Sequence, residues 1–115
     1  MWWLDAPRRL SRRASRAIES SSRVAISAIT VLETADLVEL ERIEFALPTR
    51  QWMRNALSQV ELLPLTAEIG LDAAQLRFAR DPFDRVIYAT ARSEDALLVT
   101  RDERIHAFDA ARAVW

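Results

Sequence analysis

The stretch from Asp81 to Asp102, DPFDRVIYATARSEDALLVTRD, holds the residues best spaced to do chemistry. Pro82 stops any helix arriving from the N-terminal side and is tolerated in the first turn of a new one. A helix then runs from about Phe83 to Arg92, with Phe83, Val86, Ile87, Thr90 and Ala91 on one face and Tyr88 to one side. Ser93 to Asp95 is a turn, and Ala96 to Val99 is a short apolar run suited to a strand covered on both faces of a parallel sheet. In an open α/β sheet the carboxyl ends of the strands point into the ligand crevice. Thr100 and Asp102 therefore belong at a crevice rim, and Asp84, in the first turn of the preceding helix, is placed to face the same crevice. Two acids brought together by an α/β turn suit a divalent metal ion, which takes hard oxygen ligands.

The elements that must position these acids come from a chain of 115 residues, the length of one domain. Half the residues are hydrophobic, enough for one core, and the 29% charged fraction argues against disorder. The net charge of −1 gives no global pull toward nucleic acid, so any such binding must come from a local patch. All 16 basic residues are arginine, which reads mainly as a genome-composition bias, though arginine is also the better phosphate fork. The absence of cysteine excludes disulfides and thiolate metal sites. No apolar run approaches the roughly 20 residues that span a bilayer. In MWWLDAPRR the positive charges follow the apolar residues, the reverse of a signal peptide, so a cytoplasmic protein is expected.

In chain order, MWWLD reads as the second half of a helix, ended by Pro7. Leu10 to Glu19 is an Arg-rich helix with Leu10, Ala14, Ala17 and Ile18 on one face. Its arginines either hold phosphates or form a solvated face. After the polar Ser20–Ser22 turn, Val24 to Ile26 is a buried strand that leads through Ser27 into a helix over about Ile29 to Glu41. Glu33, read in the opening turn of that helix, fits either a capping box with Thr30 or a metal ligand. Pro48 opens a helix through about Val60. Leu62 to Leu65 is a strand near a sheet edge, because Pro64 cannot donate to a ladder. Thr66 caps a helix that contains Gly70, and a short helix over Glu103 to Phe108 precedes a final strand within Ala110 to Trp115. His106, the single histidine, reads as a surface residue without a catalytic role. Three β–α alternations without repeats give the α/β class with a parallel sheet.

The runs ISAITVLE, DPFDRVIYATA and LLVTRDERI, in this order, resemble the PIN domain, and within it the VapC-type toxins of bacterial type II toxin–antitoxin modules. The opening WWLDAPRRLS and the terminal Trp115 fit the same resemblance, which spans 1–115 as a single domain. It implies a three-layer α/β/α sandwich and a Mg²⁺- or Mn²⁺-dependent endoribonuclease. It also implies a cognate antitoxin that inhibits the enzyme, an RNA substrate and a homodimer. Carried over by position, Glu33, Asp84 and Asp102 are the implied metal ligands and catalytic acids. Thr100 and Ser27 are small polar residues beside them, and Asp81 is an accessory acid that equally fits capping of the helix behind Pro82. Arg85 and Arg101 are the arginines nearest the acids and the expected RNA contacts.

One departure carries a consequence. The family begins with a buried central strand ending in Asp, before the WW-L-D helix, and this chain has no such strand; Asp5 matches the far end of the helix instead. Without the strand, two neighbours are left with unpaired backbone groups, each costing about 1–3 kcal/mol if buried. The expectation is a missing first strand, weakened metal affinity and little cleavage by this chain. The alternative is a catalytically inactive module that only binds its antitoxin.

Overall fold

The computed structural model describes residues 10–115, and the readings placed on Met1, Trp2, Trp3, Asp5 and Pro7 lie outside them. Helix α1 (Arg12–Ser20) starts where Ser11 accepts a hydrogen bond from the Ala14 amide at 3.0 Å. Its apolar stripe turns Ala14 fully inward while Arg12, Arg13 and Arg16 stay exposed. Strand β1 (Ala25–Ser27) leads directly into α2 (Ile29–Glu39). The N-cap residue of α2 is Ala28, which makes no side-chain cap, so the capping box weighed for Thr30 and Glu33 does not form, and Glu33 sits beyond the first four helical residues. Helix α3 (Thr49–Leu57) begins behind Pro48, and Phe45 stacks on its Trp52 with ring centroids 3.9 Å apart.

Strand β2 (Glu61–Leu63) ends at Pro64, as a residue without an N–H requires. Helix α4 (Ala67–Gln75) is capped by Thr66, whose hydroxyl accepts from the Ile69 amide. Gly70 lies inside α4 with nothing within 4 Å of where a Cβ would stand, so no close approach demands a glycine there. Helix α5 (Pro82–Ser93) is the most deeply packed element and buries Val86, Tyr88, Ala89, Thr90 and Ala91. Strand β3 (Leu98–Val99), helix α6 (Glu103–Phe108) and strand β4 (Ala113–Val114) complete the described chain.

The core lies where α4 packs on α5, joined by Ile105 of α6 and Ala113 of β4. Tyr88, expected to one side of its helix, is 2% exposed at the centre of this core. It meets Phe78 and Phe108 edge-on at 5.5 and 5.4 Å. Its hydroxyl donates to Asp109 Oδ2 at 2.7 Å, which satisfies the polar end of a buried ring. No helix among the described residues is long and apolar enough to cross a membrane.

Among the described residues the strands are parallel, as the β–α alternation predicts, but they form two sheets rather than one. In the first, β1 pairs β2 with Ile26 opposite Leu62. In the second, β3 pairs β4 with Leu98 opposite Ala113 and Val99 opposite Val114. A cleft of about 850 Å³ lies between them, lined by Ala25, Ile26 and Ser27 of β1 and by Leu98 and Val99 of β3. Ala17 and Ile18 of α1, Ile87 and Ala91 of α5, and Trp115 supply its apolar walls. Among the described residues, neither β1 nor β3 has a ladder partner beyond its own sheet mate.

Candidate metal centre

The acids gather at one end of this cleft, which Glu33, Asp84 and Asp102 all line. Asp81 and Asp84 are fixed by the start of α5. Asp81 has extended backbone and accepts from the Phe83 amide at 2.9 Å, while Pro82 takes the first helical position. The capping role weighed for Asp81 is therefore real, and it leaves the carboxylate among its neighbours. Glu33 arrives from α2, which packs against α5. One carboxylate oxygen from each of Glu33, Asp81 and Asp84 lies within 4.8 Å of the others.

Asp102 is not a member of that group. It caps α6, accepting from the Arg104 amide at 2.9 Å, and its own amide donates to Thr100 Oγ1 at 3.1 Å. Its link to the others passes through Arg104. That guanidinium donates from Nη2 to Asp84 Oδ2 and to Asp102 Oδ2, both at 2.8 Å, and from Nε to Asp102 Oδ1 at 3.1 Å. The sequence reading of a Glu33–Asp84–Asp102 triad is thus altered in detail. Asp84 is the shared member, with Glu33 and Asp81 on one side and Asp102, across an arginine, on the other.

Electrostatics follow this layout. Burial raises the Glu33 carboxyl above its ordinary range, and repulsion from Asp84 and Asp81 adds to the rise. Asp84 is raised for the same reasons, by burial first and then by Asp81 and Asp102, and Arg104 only partly offsets the rise. Asp102 is lowered, chiefly by its hydrogen bond from Arg104. Like-charged carboxylates held together in this way raise the cost of full ionisation, and a bound cation removes that cost. The donor set is all oxygen, which suits Mg²⁺ or Mn²⁺. The residues present fit such an ion.

The smaller polar residues support the elements that carry the acids. Ser27 is 5% exposed, lines the cleft, and accepts from the Ile29 amide at 3.3 Å where β1 passes into α2. Thr100 lines the cleft just past β3. His106 corrects the surface reading. It is partly buried, and its Nε2 lies 2.8 Å from the Thr100 carbonyl. A carbonyl only accepts, so Nε2 carries the proton and ties α6 to the end of β3. Arg101 lines the cleft with its guanidinium 5.6 Å from the Trp115 ring centroid. Arg85, the other arginine expected to contact RNA, donates to the carbonyls of Ala73 and Arg80 at 3.4 Å and so links α5 to the end of α4. Sequence reasoning missed Arg104 altogether. The available signal was local, an arginine two residues after a capping Asp, where the first turn of a helix folds it back over the cap.

Residues 1–111 match the PIN domain family. The chain is 39% identical over 115 residues to ribonuclease VapC22 of Mycobacterium tuberculosis, covering 98% of this chain and 88% of that protein. No solved structure matches. The succession of parallel strands and helices, the acids at α2, α5 and α6, and these two likenesses agree: the chain belongs to the PIN-domain family and is of the VapC type.

Proposed function

We propose that this protein is a metal-dependent endoribonuclease, the toxin of a type II toxin–antitoxin module, with a cognate antitoxin as partner. The observation that carries this reading is the convergence of Glu33, Asp81 and Asp84 to within 4.8 Å, with Asp102 joined to Asp84 through Arg104. The likeness to a protein named a ribonuclease supports the same reaction class. Glu33, Asp84 and Asp102 would hold Mg²⁺ or Mn²⁺, with Asp81 as accessory donor. The ion supplies an activated water and charge relief at the phosphate. The chain's own residues set where this happens. Caps fix Asp81 and Asp102, Thr100 and His106 hold the turn that carries Asp102, and Arg101 offers a cation to the RNA backbone at the cleft. Exposed apolar side chains, Leu40 at 66% and Leu71 at 64%, are compatible with the antitoxin and with a second copy of the chain as partners.

The cleft between the sheets supports one further element of this reading, a strand between β1 and β3. Such a strand would merge the two sheets into the central layer of a sandwich, and an Asp at its carboxyl end would join the acids. A binding-only module remains the second reading, favoured by the same open cleft. Cleavage of RNA in Mg²⁺ separates the two. The expected result is cleavage that chelation abolishes and that Asp84→Asn and Asp102→Asn lose, in the polypeptide extended by an N-terminal strand. Equal cleavage by all three proteins would remove the site assignment. Antitoxin binding without cleavage by the extended polypeptide would favour the second reading.

A further inference from the structure

Three carboxylate oxygens in this centre already carry a cation. Arg104 Nη2 is 2.8 Å from both Asp84 Oδ2 and Asp102 Oδ2, and Nε completes a two-pronged grip on Asp102. The carboxylates it bridges are largely covered, with Asp84 22% and Asp102 18% exposed, whereas Arg104 is 53% exposed. It therefore lies over the acids from the solvent side, on the first turn of α6, rather than beneath them. A long, half-exposed side chain in that position can swing into solvent, whereas the covered carboxylates it bridges cannot. The acids do not have that freedom, since Asp102 is fixed by its cap and Asp84 by α5.

We propose that Arg104 is an exchangeable internal counter-cation, competing with the divalent ion for Asp84 and Asp102 and leaving when the ion binds. The inference rests on the metal-centre reading above and adds to it a cation resident in the chain itself. While Arg104 is seated, it holds Asp84 and Asp102 together against their repulsion, so the centre is assembled before metal arrives. The same contacts oppose metal entry, since two cations cannot use one set of oxygens. Loading of the centre is thereby shifted to higher ion concentration.

Calorimetric titration of the whole chain with Mn²⁺ tests this without reference to cleavage. Arg104→Gln is expected to bind Mn²⁺ about fivefold more tightly than the unsubstituted protein, the size of one competing exposed pair. Arg104→Lys keeps the charge but lacks the fork, and is expected to fall between them. Arg23→Gln controls for a simple change in net charge. Arg23 lines the same cleft, but its partners are Glu61 and Glu94, and its loss should leave Mn²⁺ affinity within about twofold by the same measure. Unchanged or weaker Mn²⁺ binding by Arg104→Gln, with binding still lost in Asp84→Asn, would overturn the proposal and leave the metal centre standing. Equal tightening by Arg23→Gln would also overturn it. Binding that survives Asp84→Asn unchanged would overturn the metal centre, and the proposal with it.

Discussion

At Glu33 and Asp84 the fold holds carboxylates where ionisation is disfavoured, and this has a measurable sign. Glu33 titrates above its ordinary value of 4.5 in the folded chain, because of burial and then its acidic neighbours. As pH rises past 4.5, the unfolded chain ionises this group first, so folding stability falls and the deficit persists at neutral pH. Glu33→Gln is expected to raise Tm at pH 7 in metal-free buffer, and the gain should vanish once the pH is below the unfolded value. Asp102 has the opposite sign. Its lowered carboxyl contributes stability above its ordinary value of 3.8, which is lost as the pH falls through the folded value. Melting curves of Glu33→Gln and Asp102→Asn across pH 3–8 (roughly the range in which these groups titrate) should therefore separate. On activity, Asp84→Asn in the polypeptide extended by an N-terminal strand should lower Mg²⁺-dependent RNA cleavage by on the order of 100-fold or more, a loss already reached at outer-shell partners of metal ligands. Asp84 and Asp102 drew attention because acids beside strand ends and helix starts carry a topological meaning, whereas Glu33 was assigned as a ligand only by the family resemblance. The Asp84–Arg104 contact was not legible, because it depends on how α6 is aimed rather than on spacing.

Among the elements, local chemistry decided most boundaries. Pro82, Thr66, Pro64 and the apolar run before Thr100 each mark a start or stop that the structure keeps. Gly70 tests how far local preference reaches. It sits within α4 without positive φ and with open space at its Cβ position, so no tertiary contact requires it. Gly70→Ala should stabilise the chain by about 0.5–1 kcal/mol, seen as a higher denaturation midpoint with unchanged m-value. Ile105, 2% exposed, anchors α6 to the core, and Ile105→Ala should cost about 2–5 kcal/mol. The deep burial of Tyr88 was not legible from helical periodicity, because α5 is packed on more than one side and its apolar stripe no longer marks its only buried face.

At the scale of the whole molecule, the expectation of one parallel sheet meets two among the described residues, and the physical reason is pairing. Leu98 and Thr100 donate their amides to β4, to the carbonyls of Arg112 and Val114. In a parallel ladder alternate residues bond to opposite neighbours, so the Val99 amide faces the cleft side. Hydrogen exchange should therefore be faster at Val99 than at Leu98 and Thr100. A polypeptide carrying an additional strand in the cleft should slow Val99 to match them, and exchange at Val99 unchanged by that strand would contradict the placement. Class, strand direction and the end of the sheet that carries the acids were readable from β–α alternation. The division into two sheets among the described residues was not readable from that alternation.

The most direct measurement is anomalous diffraction from crystals soaked in Mn²⁺. The account predicts a single strong peak about 2.1 Å from an Asp84 carboxylate oxygen, facing Glu33, with the Arg104 guanidinium turned away from Asp84. A peak elsewhere, or none at Asp84 at saturating Mn²⁺, would contradict it.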